Sequence, residues 1–135
     1  MKVLTAGVNV GPQDMRGYKD GQWSGGHQLW WTGGKPGSKL TLSFPVDTAG
    51  KYLIETVLTR AVDYAVVSFQ LDGKPLGDKS IDLFGSKVSN TSVNLGETTL
   101  SAGDHQLTIE ITGANPQAVK GYMFGLDYIR LVPQK

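Results

Sequence analysis

The chain has 135 residues, a net charge of +1 from 13 basic and 12 acidic side chains, and no cysteine. That length suits one domain over residues 1–135, able to bury about two thirds of the surface its unfolded chain exposes, so neither disulfide nor metal is needed to make a core. Thiol catalysis and zinc–thiolate sites are excluded, the scattered Lys and Arg suggest neither nucleic acid nor an anionic membrane as partner, and no apolar run approaches the roughly 18 residues of a membrane span.

The opening Met1-Lys2-Val3-Leu4-Thr5 lacks the long apolar core of a signal peptide, so the protein either stays inside the cell or is a module of a longer exported chain. All three tryptophans then fall between Gln22 and Gly34. If Gln28–Thr32 is a strand, Trp30 and Trp31 point to opposite faces. Leu29 shares a face with Trp31, which predicts Trp31 in the core and Trp30 outside beside Gln28 and Thr32. Trp23, among glycines and polar residues, reads as a loop aromatic. Rings displayed beside hydrogen-bonding residues suit stacking on sugars, though the same rings could close the ends of a small β core.

Further along, Leu40, Leu42, Phe44 and Val46 alternate with polar residues, and Tyr52, Ile54, Thr56 and Leu58 mark the next strand. Leu53 and Val57 on its other face suggest partial cover there. Ala65, Val67, Phe69 and Leu71 run into Asp72-Gly73, a hairpin dipeptide, with another strand expected near Ser80–Phe84. His105, Leu107, Ile109 and Ile111 keep the period of two, and Asn115–Lys120 suits one short turn. Gly125–Val132, apolar on both faces apart from Asp127 and Arg130, reads as a central strand. Leu40–Val57, turning at Asp47-Thr48-Ala49-Gly50, and Asn94–Ile111, turning at Ser101-Ala102-Gly103-Asp104, read as two similar hairpins. Eight or more short strands with glycine-rich turns predict an all-β antiparallel β-sandwich, closed as a jelly roll.

The order of Phe44-Pro45-Val46-Asp47-Thr48-Ala49-Gly50-Lys51-Tyr52, Leu71-Asp72-Gly73, Leu100–His105 and Gly125–Leu131 resembles the carbohydrate-binding modules of families 6 and 35. More narrowly, Leu29–Gly33, Leu58-Thr59-Arg60 with Asp63-Tyr64, and Tyr122–Tyr128 resemble an accessory β-sandwich attached to bacterial glycoside hydrolases, including relatives of family 172. The resemblance implies a non-catalytic module with a sugar site in loops at one end of the sandwich. Trp23 falls where these families often carry a loop aromatic, and Tyr122 lies in the loop before the last strand. Phe124 and Gly125 stand where the families commonly place a polar contact, and Asn115 lies well upstream. Many members also hold a structural calcium, one of whose ligands matches Asp127. The opening strand here has no acidic residue before Asp14, so that set is incomplete, and Asp127 could equally bond the backbone or a neighbouring cation. No cofactor is expected to be required.

The resulting reading is a module that stacks sugar on Trp23, Trp30 and Tyr122 and reads hydroxyls with Arg60, Asp63, Tyr64, Asn115 and Lys120. Its expected partners are a poly- or oligosaccharide and an attached catalytic domain, with the whole protein extracellular or periplasmic. Arg60, Asp63 and Tyr64 could instead pair with one another to order their loop. His27 and His105 are not spaced as metal ligands, and Gly33–Lys39 lacks the spacing and following helix of a phosphate loop. Glycoside hydrolysis needs two carboxylates facing one cleft. The glutamates Glu55, Glu97 and Glu110, with Asp63, Asp78 and Asp82, offer no persuasive pair, and a Gly-x-Ser-x-Gly elbow is absent. A structural or oligomerising sandwich, its tryptophans meeting another protein surface, is the alternative.

Overall fold

The computed structural model describes residues 2–5, 9–18 and 21–134, except for the side chains of Lys2 and Lys79. The described strands are β1 (Lys2–Val3), β2 (Asn9–Asp14), β3 (His27–Thr32), β4 (Lys39–Val46), β5 (Gly50–Arg60), β6 (Val66–Leu71), β7 (Lys74–Asp82), β8 (Ser89–Leu100), β9 (Gly103–Gly113) and β10 (Phe124–Pro133). A single 3-10 turn spans Ser24–Gly26, and no α-helix occurs among the described residues. The strands make two five-stranded antiparallel sheets, ordered β1-β4-β9-β6-β7 and β2-β3-β10-β5-β8. The chain is thus the β-sandwich that its period-two patterning predicts.

Alternation sorts residues between core and surface. Leu40, Leu42, Phe44 and Val46 of β4 are buried, as are Leu107, Ile109 and Ile111 of β9, each buried side chain contributing about 1.5–3 kcal/mol. Phe124 of the second sheet meets its sheet neighbour Trp31 and Phe69 of the first sheet, edge to face, with centroids 6.4 Å and 6.2 Å apart respectively. β10 lies between β3 and β5, the central place its two apolar faces call for. Asp72 and Gly73 turn between β6 and β7 at φ of 50° and 83°, the paired positive values that a tight hairpin needs.

The two segments read as hairpins are something else. β4 and β9 belong to the first sheet, β5 and β8 to the second, so the turns at 47–50 and 101–104 carry the chain from one sheet to the other. Each strand buries one face in either arrangement, and backbone pairing leaves no mark on side-chain period. Because β4 pairs with β9 and β5 with β8, the two arches lie side by side, Val46 opposite Gly103 and Gly50 opposite Leu100. The strand expected at Ser80–Phe84 begins earlier, at Lys74, and ends at Asp82. Strand β2 was not legible as one, since it contains Gly11 and Pro12; it forms an edge of the second sheet, where a missing amide hydrogen is tolerated. Residues 115–120 form a turn, the Ala118 amide donating to the Asn115 carbonyl at 2.9 Å.

One departure from a simple sandwich positions the site. Gln28 and Thr59 lie on the outer face of the second sheet, yet they are 3% and 0% exposed. Trp23 lies over that face, its indole on Thr59, with the Tyr18 ring against it.

Candidate functional site

Strand β3 separates the adjacent tryptophans as its period requires. Trp31 is 2% exposed in the core, while Trp30 lies on the outer face, half-buried. Trp23 is in a loop but is not displayed. Its ring is 8% exposed, meets Tyr18 edge to face, and donates its indole N–H to Thr59 Oγ1 at 2.9 Å. Exposed in solvent, that ring would forgo the cover that the sheet face offers and leave Thr59 bare. Burial therefore wins over display.

Below Trp23 runs a chain of neutral polar groups. The Thr59 hydroxyl donates to Gln28 Oε1, and the Gln28 amide donates to Gln13 Oε1 at 2.8 Å and to the Tyr64 hydroxyl at 2.9 Å. Tyr64 is thereby held buried, and burial pushes its hydroxyl pKa up to about 12. A Cβ at Gly125 would overlap the Gln28 amide. The glycine that departs from the family pattern is therefore required here, because the Gln28 side chain already fills the space that a side chain at 125 would enter.

Beside this network opens a recess of about 230 Å³. Tyr18, Trp30 and Tyr64 supply its aromatic walls, Gln13 and Asp63 its polar groups, and Met15, Ala61, Val88 and Met123 its apolar lining. Trp30 Nε1 is the one buried side-chain donor without a partner among the described residues. Of the residues singled out from the sequence, Trp30, Asp63 and Tyr64 come together here. The Asp63 carbonyl also accepts the Met123 amide at 3.1 Å, tying the loop after β5 to the segment before β10.

The others are placed elsewhere. Arg60 is exposed at the end of β5, over Gly85. Asn115 organises its own turn, accepting the Gln117 amide at 2.9 Å and donating to Asp82 at 2.7 Å. Lys120 is exposed, and Tyr122, at φ of 50°, is half-buried and packs against the main core. Gln13, Gln28 and Tyr18 were missed by sequence reasoning. Gln28 carried a signal, its alternation with Trp30, whereas Gln13 and Tyr18 had none without a recognised β2 or covering segment.

The described residues do not assemble a structural calcium site. Both Asp127 carboxylate oxygens lie 3.0 Å from the Ser24 amide that donates to them. Asp14 accepts from the Arg16 guanidinium at 3.0 and 2.7 Å, and this hydrogen bonding holds its carboxyl well below the usual range. No group of three His, Cys, Asp or Glu side chains converges among the described residues. No helix among them is long and apolar enough to cross a membrane.

No protein-family model matches the chain, and no curated protein matches it by sequence. Solved structures do. A Paenibacillus xanthan lyase aligns over 98% of this chain and 12% of its own, with TM-score 0.81 and 17% identity. A carbohydrate-binding module from Cellvibrio mixtus lichenase 5A, in complex with cellotriose, aligns over 96% of this chain and 89% of its own (TM-score 0.57, 18% identity). A family 35 carbohydrate-binding module from Clostridium thermocellum aligns over 94% and 88% (TM-score 0.55, 17% identity). The fold is therefore that of the family 6 and family 35 modules, and the chain spans only a small part of the lyase that it resembles.

Proposed function

We propose that the chain is a non-catalytic carbohydrate-binding module whose site is the Trp30 recess and which targets an attached glycoside hydrolase to polysaccharide. The observation that carries this reading is the recess itself, which Trp30 and Tyr18 line together with Gln13 and Asp63. Sugar rings present apolar C–H faces and hydroxylated rims, and such a wall takes both. The rings are recessed rather than spread over a flat patch, which favours a small polar ligand over a protein surface.

Asp63 is the one carboxylate lining the recess among the described residues. Glu55, Glu97 and Glu110 are engaged elsewhere, with Arg130 at 2.5 Å, Lys51 at 3.1 Å and Lys39 at 3.9 Å. Acid–base hydrolysis by a carboxylate pair has no second partner here. The biological work would be proximity, raising the local substrate concentration of a catalytic domain in a longer extracellular or periplasmic protein. Screening on a glycan array, followed by calorimetry on each hit, tests the reading. Trp30→Ala should weaken binding about tenfold or more, and no reducing sugar should be released. Absence of any bound glycan, or turnover abolished by Asp63→Asn, would overturn it.

A further inference from the structure

We infer that the Trp30 recess takes a sugar residue carrying a free, protonated amino group, with Asp63 as its counter-charge. The carboxylate is singled out by what it lacks. Glu55, Asp63, Glu110 and Asp127 are the half-buried acidic residues among those described. Glu55 accepts from the Arg130 guanidinium, Glu110 lies 3.9 Å from the Lys39 ammonium, and Asp127 accepts the Ser24 amide. No hydrogen bond or ion pair ties the Asp63 carboxylate to another described residue, although Ala61 and Tyr64 on either side are buried, at 2% and 4% exposure. Partial loss of water without a counter-charge is a standing cost, and a cationic ligand removes it.

The rest of the recess favours the same charge. Tyr18, Trp30 and Tyr64 line it with Asp63, and an ammonium brought against aromatic rings gains from their quadrupoles, the more so where water is displaced. No Lys, Arg or His lines it among the described residues, so nothing there repels a cation or pairs with an anionic sugar. Asp63 is also held in place. Its carbonyl accepts the Met123 amide at 3.1 Å, Tyr64 bridges Met123, and Gly121 packs so closely that a Cβ there would come within 3.3 Å of the Asp63 Cβ. A carboxylate on a backbone fixed this way loses little freedom on binding. Gln13, whose Oε1 is taken by Gln28, keeps its amide hydrogens for hydroxyls of the same ring. At about 230 Å³ there is room for about one sugar ring, so a single amine-bearing residue is read. This sugar class rests on the glycan-binding reading of the same recess.

Isothermal titration calorimetry on the full chain tests the charge. The probes are the β-1,4-linked tetramer of glucosamine, its fully N-acetylated form, cellotetraose, and choline as an ammonium without a sugar, all at about pH 6, where the amine is protonated. The glucosamine tetramer should bind about tenfold more tightly than either neutral tetramer, and the preference should shrink as salt is raised. Asp63→Asn, which keeps the shape and removes the charge, should bring that ratio to about one, with a melting temperature near wild type because the carboxylate bonds no other described residue. A glucosamine tetramer bound no more tightly than the neutral ones, or a preference that survives Asp63→Asn, would overturn the amine-bearing class and leave the glycan-binding reading standing. Choline bound as tightly as the glucosamine tetramer would overturn the sugar half of the proposal. No binding of any probe would overturn it whole, with the glycan array deciding whether the wider reading fails too.

Discussion

Buried polarity is handled in opposite ways beneath the Trp23 segment and at the sheet-crossing arches. Under Trp23 the interlocked groups Thr59, Gln28, Gln13 and Tyr64 are neutral amides and hydroxyls. At the arches His105, 6% exposed, faces acceptors on both ring nitrogens, Asp72 Oδ2 at 2.5 Å and the Ser101 carbonyl at 2.7 Å. A carboxylate and a carbonyl only accept, so both bonds form together only with the doubly protonated ring. The Asp72 bond, then that to Ser101, raises the His105 pKa above its ordinary 6.5. For Asp72, burial pushes the carboxyl up, but the bonds from Gln106 and His105 outweigh it and hold the pKa low. The first region owes its stability to geometry and the second partly to protonation.

Four measurements break or sharpen that contrast. The largest effect is expected from Trp31→Ala, in the core on which both regions rest, about 3–5 kcal/mol by denaturant unfolding. Gln28→Ala should cost about 2–3 kcal/mol by stranding Thr59, Tyr64 and Gln13, with the same loss at pH 5 and pH 8, since no member titrates in that range. A loss that varied with pH would end the contrast. His105→Gln should cost about 1 kcal/mol, and only at lower pH. A raised histidine pKa stabilises fully below the ordinary 6.5 and ceases to as pH rises through the folded value, while the lowered Asp72 contribution holds above its ordinary 3.8 and is lost as pH falls through the folded value. Melting curves of wild type and variant should therefore converge above neutrality. The smallest effect is expected from EDTA, a shift in melting temperature under about 2 °C, because Asp127 and Asp14 are already committed to Ser24 and Arg16.

The site was legible only in part. Trp30 could be assigned to the outer face because β3 alternates, and Asp63 with Tyr64 could be placed at a strand end. That the three share one recess was not legible, because a parallel bridge between Tyr64 and Met123 and the cover from Met15 and Tyr18 assemble it from segments far apart in the chain. The strand that read as apolar on both faces proves exposed on one, at Tyr128 and Arg130.

What the sequence determined by itself was the all-β class, most strand positions and the inward face of the strands that alternate, such as β3, β4, β6 and β9, because a period of two is a local property of the backbone and its solvent contrast. Tertiary structure alone decided which strands share a sheet, since the turns at 47–50 and 101–104 serve a hairpin or an arch equally well. It also decided that Trp23 is a lid rather than a platform. Its indole N–H is satisfied by Thr59, 36 residues away, and that contact exists only once β5 and β3 flank β10.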